Sequence, residues 1–170
     1  MDPSLKPDPL RKGSYYRRLE DVPRALESLE SNGLSPAMRF FIHYFGCEKI
    51  ARGIVGIHAR LPAKDAYHHK KALKLELVKA AAGSLGLSIP HQDLDWLFAD
   101  FNEQHILRSS NPDWTNSARY LRNNLTHDFG PSNVARVSRH APLLNPKLDM
   151  FLSCVPDILK YQRLHFAGVA

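Results

Sequence analysis

A chain of 170 residues has the length of one ordinary domain, and its 44% hydrophobic content is a globular value that excludes a disordered chain. Two cysteines are too few for a disulfide-framed fold, and no stretch approaches the ~20 apolar residues that span a bilayer. The formal charge of +6 is compatible with a nucleic-acid partner. Met1 to Lys6 carries no apolar run of the secretory kind. The expectation is a cytoplasmic protein with no membrane contact. In that compartment Asn124-Leu125-Thr126 spells a glycosylation acceptor only by coincidence. Cys47 and Cys154 both sit in apolar contexts and read as small buried thiols.

Residues 1–20 carry three prolines and the basic pairs Arg11-Lys12 and Arg17-Arg18 around Tyr15-Tyr16. This reads as a flexible basic arm ahead of a single domain over 21–170. A short helix follows from about Val22 to Ser31 and ends at Asn32-Gly33. Ser35 then offers an N-cap and Pro36 a first helical position. Beyond them run two apolar stripes. One takes in Met38, Phe41, Phe45, Ile50, Ile54 and Ile57, and the other Phe40, Tyr44, Cys47, Ala51, Val55 and His58. A helix apolar on two sides is the natural centre of a bundle. On it, Glu48, Lys49 and Arg52 need either solvent or partners.

After a basic connector around Lys64 and His68 to Lys71, the spacing predicts a helix with Leu73, Leu77, Ala80 and Ala81 on one face, stopping near Gly83 to Gly86. Ser88-Ile89-Pro90 opens another, with Leu94, Leu97, Phe98, Phe101 and His105 at helical spacing. Asn111 and Pro112 cap the next, whose face is Trp114, Ala118, Leu121 and Leu125 and whose stop is Gly130-Pro131. A loop holding Pro142 and Pro146 then leads to a last helix, roughly Lys147 to Leu164, interrupted near Pro156. No strand pattern or internal repeat is found. The fold class is all-α, a bundle of four to six helices.

The chain has no HExxH, no CxxC and no glycine-rich nucleotide loop, so no metal or cofactor is expected. The segment with the best claim to chemistry is Arg122 to His127. Two asparagines in mid-helix cost up to ~0.7 kcal/mol each relative to alanine, which makes sense where polar side chains are needed. Asn123 and Asn124 lie four and three residues before His127 and neighbour it on the helix surface. His127 stands in the last turn, where the negative end of the helix attracts a cation, and histidine is the side chain suited to proton transfer near neutral pH. Arg122 offers a planar fork of donors to a phosphate. A proton acceptor for a ribose 2′-OH and a cation for the phosphorane are the parts needed to cleave RNA without metal. Residues five apart project ~140° apart, so Arg122 and His127 converge only through a bend, a long reach, or two copies facing each other.

These residues resemble the HEPN superfamily, whose signature is an arginine, a polar residue and a histidine. Arg122-Asn123-Asn124-Leu125-Thr126-His127 matches the form with four intervening residues, Asn123 being the polar one. Arg52 to His58 also has a permitted gap, but lacks the adjacent asparagine and the helix end before Gly-Pro. Phe41 to Arg52, an aromatic run followed by Glu48-Lys49, is similar to the family's first long helix. The resemblance covers roughly residues 36–165 and rests on these two patches. It implies a helical bundle that forms a homodimer with both motifs lining a shared cleft. It further implies a metal-independent endoribonuclease acting on RNA, of the kind found as toxins of toxin–antitoxin or antiviral systems, with a cognate antitoxin protein as partner. By that resemblance Arg122 binds phosphate, His127 transfers a proton and Asn123 orients the scissile group, with Asn124, Asp128 and Glu48 as substrate-binding residues. Phe129 stands where some toxin members carry a modifiable tyrosine. Other members are non-catalytic helical modules that bind a protein or nucleic-acid partner, and the resemblance leaves that alternative open.

Overall fold

The computed structural model describes residues 19, 21–31, 33–59, 73–100, 103 and 114–165. Helix α2 (Pro36–Ala59) runs through the centre of the fold. It begins where expected: the Ser35 hydroxyl accepts the Met38 N–H at 3.3 Å, and Pro36 fills the first helical position. Thirteen of its residues are buried, on nearly every side, because α1 (Asp21–Glu30), α3 (Leu75–Ser84), α5 (Ala118–His127), α6 (Pro131–Leu152) and α7 (Val155–His165) all touch it. Two glycines let neighbours approach closely. A Cβ at Gly46 would stand 3.1 Å from Val22 Cγ1, and one at Gly53 would stand 3.0 Å from Leu19 Cδ1. Leu19 is buried there, although the sequence assigns it to the arm. The rest of the arm lies outside the described residues.

Helix α4 (His91–Phe98) completes the packing, and a 3-10 turn over Trp114–Asn116 precedes α5. A row of aromatic rings ties the core together. Phe40 and Tyr44 of α2 meet at 6.1 Å, Tyr44 meets Phe98 of α4 at 6.4 Å, and Phe98 packs edge-on against Phe151 of α6 at 5.0 Å. Among the described residues there is no strand, and the all-α class holds.

Three expectations change. The face of α3 is Leu75, Val78, Ala81 and Ala82, while Ala80 is exposed. Lys74 is extended, so Leu73 packs ahead of the helix instead of setting its phase. Trp114 lies in the 3-10 turn and not on α5. The proposed caps Asn111 and Pro112, and the helical positions Phe101 and His105, fall outside the described residues. The turn is tied to α6, since Arg136 donates to Thr115 O at 2.9 Å and to Asn116 Oδ1 at 3.0 Å.

The largest change is at the predicted proline loop. Pro142 and Pro146 lie inside α6, a continuous helix, which brings the described α-helices to seven where four to six were expected. The two prolines are four residues apart and both exposed, so the missing N–H groups fall on the solvent side, where carbonyls can bind water. The opposite face buries Val137, Ala141, Leu144, Leu148 and Phe151, and α2 is its main partner. Burial of such side chains is worth ~1.5–3 kcal/mol each, enough together to offset ~3 kcal/mol per proline. The break between the last two helices falls at Ser153-Cys154, with Pro156 in the first turn of α7 where it is tolerated.

A polar cluster sits where α1, α2 and α6 meet. His43 is 4% exposed, yet its Nδ1 lies 3.0 Å from Asp149 Oδ1 and its Nε2 lies 2.9 Å from Glu30 Oε1. Arg39, one turn earlier, donates from Nε to Glu30 at 2.6 Å and from Nη2 to both oxygens of Asp149 at 3.0 Å. Two carboxylates from two other helices are thus gathered by Arg39 and His43 of α2.

Both cysteines are buried and unpaired, as expected. Burial pushes the Cys47 thiol well above its ordinary value of 9.0. Among the described residues no helix is long and apolar enough to cross a membrane.

Candidate active site

Helix α5 buries Ala118, Leu121 and Leu125, the face read from the sequence, and so fixes the direction of everything else it carries. Two arginines on it, three residues apart, reach inward. Arg119 donates from Nη1 to Leu73 O at 2.7 Å and Phe98 O at 2.8 Å, holding α5 to the start of α3 and the end of α4. Arg122 turns toward α2. Its Nη2 lies 3.1 Å from Glu48 Oε2, and its guanidinium carbon stands 5.3 Å from the centre of the Tyr44 ring. The other Glu48 oxygen takes Arg52 at 3.3 Å, one helical turn along α2. Glu48 and Arg52 therefore find the partners their positions required.

Tyr44 is fully buried, and burial pushes its phenol above the ordinary value of 10.0, against the opposing pull of Arg122 and Arg119. It stays a neutral ring at physiological pH and serves Arg122 as an apolar wall, not as a proton donor. Arg122 Nε is buried with no hydrogen-bond partner among the described residues.

The outward side of α5 differs. The amides of Asn123 and Asn124 are half-exposed, and His127 is exposed. None of these three side chains has a hydrogen bond or ion pair among the described residues. Thr126 turns its hydroxyl back to Arg122 O at 2.7 Å. The helix stops at His127, because Asp128 is extended and Gly130-Pro131 starts α6. Asp128 holds this turn: Asn133 donates to its carbonyl at 2.9 Å and to its Oδ2 at 3.1 Å. Phe129 beside it is 72% exposed.

Of the residues read from the sequence, the fold thus brings Arg122 and Glu48 together. Asn123, Asn124 and His127 stand on the open side of the same helix, and Asp128 is in the turn that follows. No contact joins Arg122 to His127 within one chain among the described residues. Tyr44 and Arg52 escaped the sequence reading as neighbours of Arg122. The i to i+4 spacing of Glu48 and Arg52 was a signal for one of them, and Tyr44 was visible only as a core position. Among the described residues no cluster of histidine, cysteine, aspartate and glutamate could hold a metal ion.

Comparison of the chain with protein-family models, with curated proteins and with solved structures found no match.

Proposed function

We propose that the chain is a metal-independent endoribonuclease of the HEPN type, acting as a homodimer with its cleft between two copies. The observation that carries this reading is the division of labour on α5. Arg122 is braced by Glu48 and Tyr44, while His127 stands exposed on the same helix with no partner among the described residues. A cation held in place and a free imidazole are what cleavage of a phosphodiester needs. The basic charge of the chain supports a polyanionic substrate.

In this mechanism His127 takes the proton of a ribose 2′-OH. The 2′-oxygen bonds to phosphorus, and the charge that gathers on the non-bridging oxygens is met by Arg122. Asn123 donates its amide to the same phosphate and fixes its orientation. The bond to the 5′-oxygen breaks, and that oxygen takes a proton from a second imidazole. The products are a 2′,3′-cyclic phosphate and a 5′-hydroxyl. Because Arg122 and His127 project ~140° apart on one helix, a pair of copies related by a two-fold axis supplies the convergence. Asn124 and the Asp128 turn then flank the cleft. Such an enzyme acts as a toxin of a toxin–antitoxin or antiviral system, held in check by a cognate antitoxin protein.

The test is incubation of mixed RNA in EDTA with wild type and with His127→Ala. Cleavage by wild type alone, leaving cyclic phosphate ends, is the expected result. Equal cleavage by both proteins would remove His127 from the site. One observation favours a second reading, a non-catalytic binding module: Glu48 already neutralises Arg122. That reading expects RNA or protein binding with no turnover by either protein.

A further inference from the structure

We infer that the outer face of α2 around Phe45 is a nucleotide subsite, where a base of single-stranded RNA stacks on the Phe45 ring and the adjoining phosphodiester meets Lys49. The choice of RNA as occupant rests on the ribonuclease reading; the residues themselves are separate from Asn123 and His127.

Phe45 is 55% exposed on a helix otherwise largely buried. It lines a surface cavity of about 260 Å³ together with Glu48, Lys49 and Arg52. The other three positions are spaced three, four and seven residues from Phe45, so the four form one face. The Lys49 ammonium stands 4.9 Å from the centre of the Phe45 ring and has no ion-pair partner among the described residues. Glu48 is shared between Arg52 and Arg122. Among the described lining residues there are two cations, Lys49 and Arg52, and one carboxylate, Glu48. Apart from Phe45, every described residue lining it is ionic, which suits a charged ligand with one flat apolar face better than an apolar protein segment. A nucleotide has that chemistry: a π-face for the ring and a phosphate for the ammonium. Glu48 links the cavity directly to Arg122, so a strand seated on Phe45 leads toward the candidate cleavage site.

The test uses the full chain and a uridine 12-mer of 2′-O-methyl RNA, which cannot be cleaved through its 2′-oxygen. Affinity is read by fluorescence anisotropy across a salt series. Phe45→Ala should weaken binding about tenfold, while Phe45→Trp keeps or tightens it. Lys49→Ala should weaken binding and reduce the salt slope by about 1. Failure of wild type to bind, or binding by Phe45→Ala and Lys49→Ala within twofold of wild type, overturns the subsite. So does a Phe45→Ala protein whose dimer dissociates, by sedimentation, in step with its loss of RNA affinity, since the face would then join copies of the chain. Folding of each variant is checked by near-ultraviolet circular dichroism, and Phe45→Trp keeps the test alive if Phe45→Ala is unfolded. The two readings fail separately. Cleavage that needs His127 but ignores Phe45 leaves the ribonuclease and removes the subsite. Phe45-dependent binding without any cleavage leaves the subsite and removes the ribonuclease.

Discussion

His43 and His127 are the same side chain in opposite circumstances. His43 is buried at the meeting of three helices, with a carboxylate at each ring nitrogen. Its Nδ1 is hydrogen-bonded to Asp149, and its Nε2 lies close to Glu30 without a hydrogen bond among the described residues, so both sides of the ring are enclosed by the fold. His127 stands exposed at the end of α5 with no hydrogen bond among the described residues. The difference separates a histidine that holds the fold from one available to a ligand, and it is a difference of surroundings alone.

Substitution should show it from both sides. His127→Ala is expected to lower RNA cleavage at least a hundredfold, the ordinary contribution of a general base, and to change stability by less than ~0.5 kcal/mol, measured by urea titration. Equal activity, or a large loss of stability, would erase the contrast. His43→Ala is expected to cost about 2 kcal/mol and leave cleavage per folded molecule intact. The cost falls below the ~3–5 kcal/mol of a fully buried pair because Glu30 and Asp149 are partly exposed and can rehydrate.

Glu48→Ala sharpens the comparison at the other brace. It leaves the mostly buried guanidinium of Arg122 without its carboxylate, which should cost about 1.5 kcal/mol. Cleavage should fall while binding of uncleavable RNA tightens, since a negative charge has left the phosphate's path.

The pH dependence tests the core behind both histidines. Burial raises the native Cys47 thiol well above 9.0, so the unfolded chain loses this proton first as pH rises. The unfolded state then binds fewer protons, and stability falls above about pH 9 by up to ~1.4 kcal/mol for each pH unit. Cys47→Ala should flatten that decline in denaturant titrations at pH 8 and pH 10. The smallest effect is expected from Asn133→Ala, about 0.5 kcal/mol, because the bonds it removes at Asp128 lie at the surface.

Where the sequence could be read, local patterns spoke for themselves. Ser35-Pro36 and Gly130-Pro131 marked helix ends, and Leu121 and Leu125 marked the inner face of α5. What resisted reading was set by partners far away in the chain. Arg122 finds Glu48 across 74 positions, as two helices cross. Nothing beside His43 in the chain marks it for a polar cluster; α1 and α6 bring Glu30 and Asp149 to it from far away in the chain. The proline loop failed for the same reason, since local propensity was right about the prolines and silent about α2.

The two prolines in α6 make that helix a dependant. A peptide of residues 131–152 should be a coil in water, because two interior prolines deny it the propagation that short helices need. Its order is lent by α2, and it should be returned as a block. In hydrogen exchange the amides of α6 should open only when α2 lets go, with the free energy of global unfolding and not of local fraying. A helix so built is a sensor of its own docking: whatever loosens the centre of the bundle is reported at once along its outer wall.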